Sequence, residues 1–191
     1  MGLSIHYSGK LRNPVDIPAL IAEAADISKS MHWEAEILPH FDDIPIQGVL
    51  VIPEGSEPLW LTFHEKGSMC HPILYEHVME IEGKNFPEVG EQWCVTKTQY
   101  AGVEAHMAMI KFLRYMSEKY FERFEMHDES QYWETNDESI CRKRFGEYEK
   151  IMGMVGDALD SLEISADECR ESIVERIEKM LEERFGMKRM N

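Results

Sequence analysis

Long apolar runs are missing from this chain. The longest uninterrupted ones are about the size of VLVI, Val49 to Ile52, whereas a helix needs roughly 20 such residues to cross a bilayer. No membrane-spanning helix is expected. Positive charge is also scarce: 20 lysines and arginines stand against 36 aspartates and glutamates, a formal net charge of -16 at pH 7. Such a chain repels nucleic-acid phosphates and anionic lipid headgroups, so neither nucleic acid nor a membrane is expected as a partner. Cysteines are few. Cys70, Cys94, Cys141 and Cys169 form no C-x-x-C pair and no zinc or disulfide framework, and they read as small apolar residues. The opening residues, MGLSIHYSGK, hold no basic region followed by an apolar one, and His6 stands where a myristoylation motif has Ser or Thr. A cytoplasmic setting is the expectation. Absent too are G-x-x-x-x-G-K-[ST], G-x-G-x-x-G, G-x-S-x-G and H-E-x-x-H, the usual signatures of nucleotide, dinucleotide, acyl-transfer and zinc-protease chemistry. No repeat, low-complexity tract or long linker interrupts the chain.

What remains suffices for a core. A chain of 191 residues that is 43% hydrophobic and 10% aromatic fits a single domain, 1–191. Its 13 methionines suit irregular packing better than a cofactor role. Leu3, Ile5 and Tyr7 alternate with Ser4, His6 and Ser8 in the period of a half-buried strand. Asn13-Pro14 then caps and opens a helix over 14–32, with Ile17, Leu20, Ile21, Ala24, Ile27 and Met31 on its apolar stripe. Strands are expected at 34–38, 47–52, 58–64, 72–82 and 92–99, and their short connections imply an antiparallel meander.

A helix over 101–121 carries His106, Met109, Leu113, Met116 and Tyr120 on one stripe, flanked by Ala105, Ala108, Phe112 and Tyr115. Its apolar arc is wide enough to make it central. A strand, Glu122 to His127, follows. Thr135 and Glu138 have capping-box spacing and begin a helix with a heptadic stripe from Cys141 to Leu162; Ser165 and Glu168 begin the last one. The expected fold is α+β, an antiparallel β-sheet covered by helices, with a C-terminal antiparallel helical hairpin over about 136–186.

The densest polar stretch is HDESQYWETND, His127 to Asp137. A helix of about 18 residues rises roughly 27 Å, and the strand after it returns about as far. Asp128, Glu129, Tyr132, Trp133 and Glu134 should therefore approach Lys97, Gln99, Tyr100, Glu104 and His106 near the start of the helix. These ten form the candidate binding site. His106 with Asp128, Glu129 or Glu134 has the donor types for a divalent cation, or a carboxylate beside Lys97 those for a general base. Against this, Glu104 also suits a helix N-terminus, Thr135, Asp137 and Glu138 suit the next one, and His106 lies on an apolar stripe. No metal ligand set or cofactor is assigned. His64, Cys70, His71 and His77 lack zinc spacing and read as structural, as does His127.

The blocks IHYSGKLRNP, KTQYAGVEAHMAMIKFLRYMSEKYF and DESQYWET resemble those of an uncharacterised family of bacterial proteins. No activity, cofactor or catalytic residue comes with the resemblance. The family pattern has glycine where this chain has Ser130 and Gln131, and again at Asn136, which puts the local turn in question because glycine reaches backbone angles that these residues adopt less readily. The function expected is a non-enzymatic binding or interaction protein with an acidic surface, taking a basic protein or a small molecule. The alternative is a metal-dependent or general-base hydrolase-like enzyme using the 101–121 helix start and the 128–134 segment. The heptadic stripe also admits a homodimer, although the short loop favours packing against the last helix of the same chain.

Overall fold

The structure, a computed structural model, describes residues 3–38, 46–73, 92–160, 174–176 and 179. The chain divides into two compact units, Met1–Phe145 and Gly146–Asn191. In the first, the strands are β1 (Ser4–Leu11), β2 (Glu34–Ile37), β3 (Ile46–Ile52), β4 (Leu59–His64), β5 (Cys94–Lys97) and β6 (Phe121–Asp128). The helices are α1 (Ile17–Ser30), α2 (Gly102–Tyr120), the single-turn α3 (Tyr132–Thr135) and α4 (Glu138–Asp160), the last of which runs on into the second unit. The last helix expected by sequence lies outside the described residues except for 174–176 and 179, which are helical, and so does the expected strand at 72–82 except for a helical 72–73. Among the described residues no helix is long and apolar enough to cross a membrane.

The class is α+β and all strand pairs are antiparallel. Among the described residues the strands do not form one meander, however, but two three-stranded sheets ordered β5-β1-β6 and β2-β3-β4. Their division follows from β1, which offers both edges to strands that arrive much later in the chain. Tyr7 pairs with Cys94 on one side and Met126 on the other. Residues 67–70 join the sheets: Met69 N donates to Gly9 O, and Cys70 N donates to Thr62 O. Tyr7 adds a side-chain tie, its hydroxyl accepting from Trp60 N at 2.7 Å, and burial drives its pKa upward.

Local chemistry explains the helices. Asn13 accepts from Val15 N and opens a 3-10 turn, Pro14–Asp16, that leads directly into α1. Ile17, Leu20 and Ala24 are then fully buried, and α1 lies over β2 and β3. Thr135 does not begin α4. Its hydroxyl donates to Gln131 O inside α3, and Asp137 caps α4 instead, accepting from Ser139 N at 2.8 Å. The stripes of α1 and α2 are only partly covered: Ile27 and Ala108 are half-buried, and Met31 and Tyr115 remain 40% and 43% exposed.

Candidate functional site

The two polar segments meet because α2 and β6 have nearly matched lengths. His106, in the first turns of α2, is fully buried and has partners on both ring nitrogens. Nδ1 lies 2.7 Å from Thr98 Oγ1, while Nε2 lies 2.8 Å from Ser130 Oγ and 3.2 Å from Asp128 Oδ1. Its ring also packs against Phe145 at a centroid distance of 5.1 Å.

Asp128, at the end of β6, is equally buried and turns its carboxylate onto α3. Oδ2 accepts from the backbone N–H groups of Tyr132 and Trp133 at 2.8 and 3.0 Å and from Ser130 Oγ at 2.8 Å. Oδ1 accepts from Ser130 N at 2.8 Å. Burial pushes the carboxyl pKa up, but hydrogen bonds from His106, Trp133 and Ser130 together outweigh it and hold the group below its ordinary value. Asp128 is thus a capping carboxylate.

The remaining candidates diverge from this pair. Glu129 accepts from Ser4 N and Ser4 Oγ at 2.7 and 2.8 Å at the surface, and Glu134 accepts from Asp128 N at 3.1 Å. Gln99 accepts from Leu3 N, Lys97 pairs with Glu57 at 3.8 Å, and Glu104 pairs with Arg142. Tyr132 is buried, and Trp133 lies under the Arg114 guanidinium, 4.6 Å from its ring centre. Tyr100 is 73% exposed. Only His106 and Asp128 of the ten touch side chain to side chain among these contacts, and no group of three or more His, Cys, Asp or Glu among the described residues is arranged to hold a metal ion.

What can the central cluster do? A hydrolytic triad needs hydroxyl and carboxylate on opposite ring nitrogens, with the hydroxyl open to substrate. Here Ser130 shares Nε2 with Asp128 and the Thr98 hydroxyl takes Nδ1, but both hydroxyls are buried along with His106 and Asp128, so neither is open to substrate. The arrangement fastens three chain segments together: the end of β5, the start of α2 and the β6–α3 connection. Sequence reasoning did not single out Thr98 or Ser130, whose short hydroxyl side chains gave no periodic signal.

An open concavity lies elsewhere in the same unit. α1 and α2 run antiparallel, since Glu23 meets Tyr115, Lys119 and Tyr120 while Met31 lines a cavity with Ala101 and Ala105. Between the helices is a groove of about 470 Å³ with a floor of Ile27, Met31, Ala108, Phe112 and Tyr115. Glu23, Asp26 and Lys111 form its rim. Met31 also lines a second cavity of about 490 Å³ together with His32, Trp33, Glu54 and Tyr100. The stripe residues Ile27, Met31, Ala108 and Tyr115 were the available signal, because they exceed what one neighbouring element covers.

Fold and site together define an acidic α+β protein with paired antiparallel sheets, a sealed polar fastening and an open apolar groove. Compared with family models, curated proteins and solved structures, the chain matches none.

Proposed function

We propose that this chain is a non-enzymatic, cytoplasmic binding protein whose partner presents apolar side chains flanked by basic ones. The observation that carries this reading is the α1–α2 groove, with Ile27, Met31 and Phe112 on its floor and Glu23 and Asp26 on its rim. An exposed apolar concavity rimmed by charge is a usual mark of a binding surface, and the net charge of -16 favours approach of a basic partner. The buried free thiols of Cys70, Cys94 and Cys141 suit a reducing compartment. Burial pushes those of Cys70 and Cys94 up to about 12, which leaves them unreactive. A hydrolase-like reading would rest on His106 and Asp128, whose complete burial keeps them out of a substrate's reach.

Selection from a random peptide library on the immobilised protein tests the proposal. Enriched peptides should combine Lys or Arg with aliphatic or aromatic residues, and should lose affinity for a protein carrying both Asp26→Lys and Met31→Lys. These positions are exposed, so the fold tolerates the changes. Peptides held equally well by the doubly substituted protein would overturn the assignment of the groove.

A further inference from the structure

We propose that the groove between α1 and α2 receives an amphipathic basic helix, about four turns long, from a partner protein. This rests on the binding reading above and specifies the form of the partner.

Length supplies the first argument. The two cavities have Met31 as a common lining residue, and their lining along α2 runs from Ala101 to Tyr115, a length of roughly 21 Å at about 1.5 Å per residue. A helix of about 14 residues spans that distance, and apolar positions at i, i+3, i+4 and i+7 would meet its floor along one face. The floor also carries adaptable and aromatic side chains from end to end: Tyr100, Trp33, Met31, Phe112 and Tyr115. Met and aromatic residues are enriched in interfaces of this kind.

Backbone chemistry then separates a helix from an extended peptide. Both walls are helices, whose interior N–H and C=O groups already bond within the helix. An extended chain laid between them would bury N–H and C=O groups without the ladder partners that a sheet edge provides. A helix satisfies these groups internally and presents only side chains.

Charge excludes two other occupants. Glu23 and Asp26 border the first cavity and Glu54 the second, against Lys111 and His32. Lys111 is already drawn to Glu138, 3.6 Å away, and Glu23 is bonded to Lys119, so Asp26 and Glu54 are the rim carboxylates that pair with no cation among the described residues. A second copy would bring its own -16 charge and the same rim against this one, and an anionic membrane would be repelled likewise. Lysine or arginine on the polar flanks of a docked helix would meet these carboxylates.

Three synthetic peptides of about 18 residues, titrated into the full chain labelled at its methionine methyl groups, test the inference. One is a leucine–lysine amphipathic helix, the second is the same sequence with two central residues replaced by prolines that prevent helix formation, and the third replaces lysine by glutamate. Expected is a shift of the Met31 methyl with the first peptide only, at an affinity about tenfold weaker with Asp26→Lys. Equal binding of the proline peptide at Met31 would overturn the helical form while leaving the groove reading intact. Equal binding of the glutamate peptide would overturn the basic character. Failure of all three to move Met31 would overturn both this inference and the groove, and concentration-dependent dimerisation that protects Met31 would replace the partner helix with a second copy.

Discussion

Gln131 and Asn136 bracket α3 with left-handed backbone, at φ 65° and 53°. A side chain there costs about 1 kcal/mol or more relative to glycine. The strain is held by the Asp128 carboxylate, which binds the N–H groups of Tyr132 and Trp133 between the two residues. Gln131→Gly and Asn136→Gly are each expected to raise stability by about 0.5–1 kcal/mol, read as a higher midpoint in urea with an unchanged slope. A lower midpoint at both positions would show that the side chains contribute more than the backbone strain costs. His106 illustrates the opposite case. Truncation by His106→Ala removes the shared partner of Thr98, Ser130 and Asp128 and strands a buried carboxylate, with an expected loss of about 3 kcal/mol or more in denaturant unfolding. A loss under about 1 kcal/mol would mean that the cluster is not the fastening described.

At the scale of elements, α1 and α2 are held together at one end by Glu23, which accepts from Lys119 Nζ at 2.6 Å and from the hydroxyls of Tyr115 and Tyr120. The Lys119 ammonium, followed by the two hydroxyls, lowers the Glu23 carboxyl from 4.5 to about 2. A depressed carboxyl stabilises the fold above its unfolded value and loses that contribution as pH falls through the folded one. The melting-temperature gap between the parent and Glu23→Gln is therefore expected to be constant above about pH 4.5 and to close toward pH 2. A gap that persists unchanged at pH 2 would refute the link. The same contact fixes one end of the groove, whose floor opens where the arcs of the two helices are wider than their mutual contact. Residue spacing made this arc legible: α2 spans Gly102–Tyr120 against an expected 101–121, and α1 with its 3-10 lead spans Pro14–Ser30 against 14–32. The capping of α4 was less legible, because Thr135 and Asp137 are both good caps by residue type and only hydrogen-bond geometry separates them.

For the whole molecule, two physical regimes divide what could be read from what could not. Periodicity and turn residues are local, so the sequence by itself determined where most described strands and helices lie, that the class is α+β, and that a surplus of negative charge faces any partner. It also placed the 97–106 and 128–134 segments near each other, since a helix and the strand after it return by calculable lengths. Tertiary structure alone decided the rest. The pairing of β1 with both β5 and β6 depends on contacts about 90 to 125 residues apart, which no local pattern encodes. Likewise, the placement of Ser130 and Asp128 on one nitrogen of His106, and the exposure of Met31 and Tyr115 in a groove rather than a core, depend on how closely neighbouring elements approach. Apolar side chains at helical spacing announce a face to be covered; only the packed fold determines how much of that face is left open to solvent.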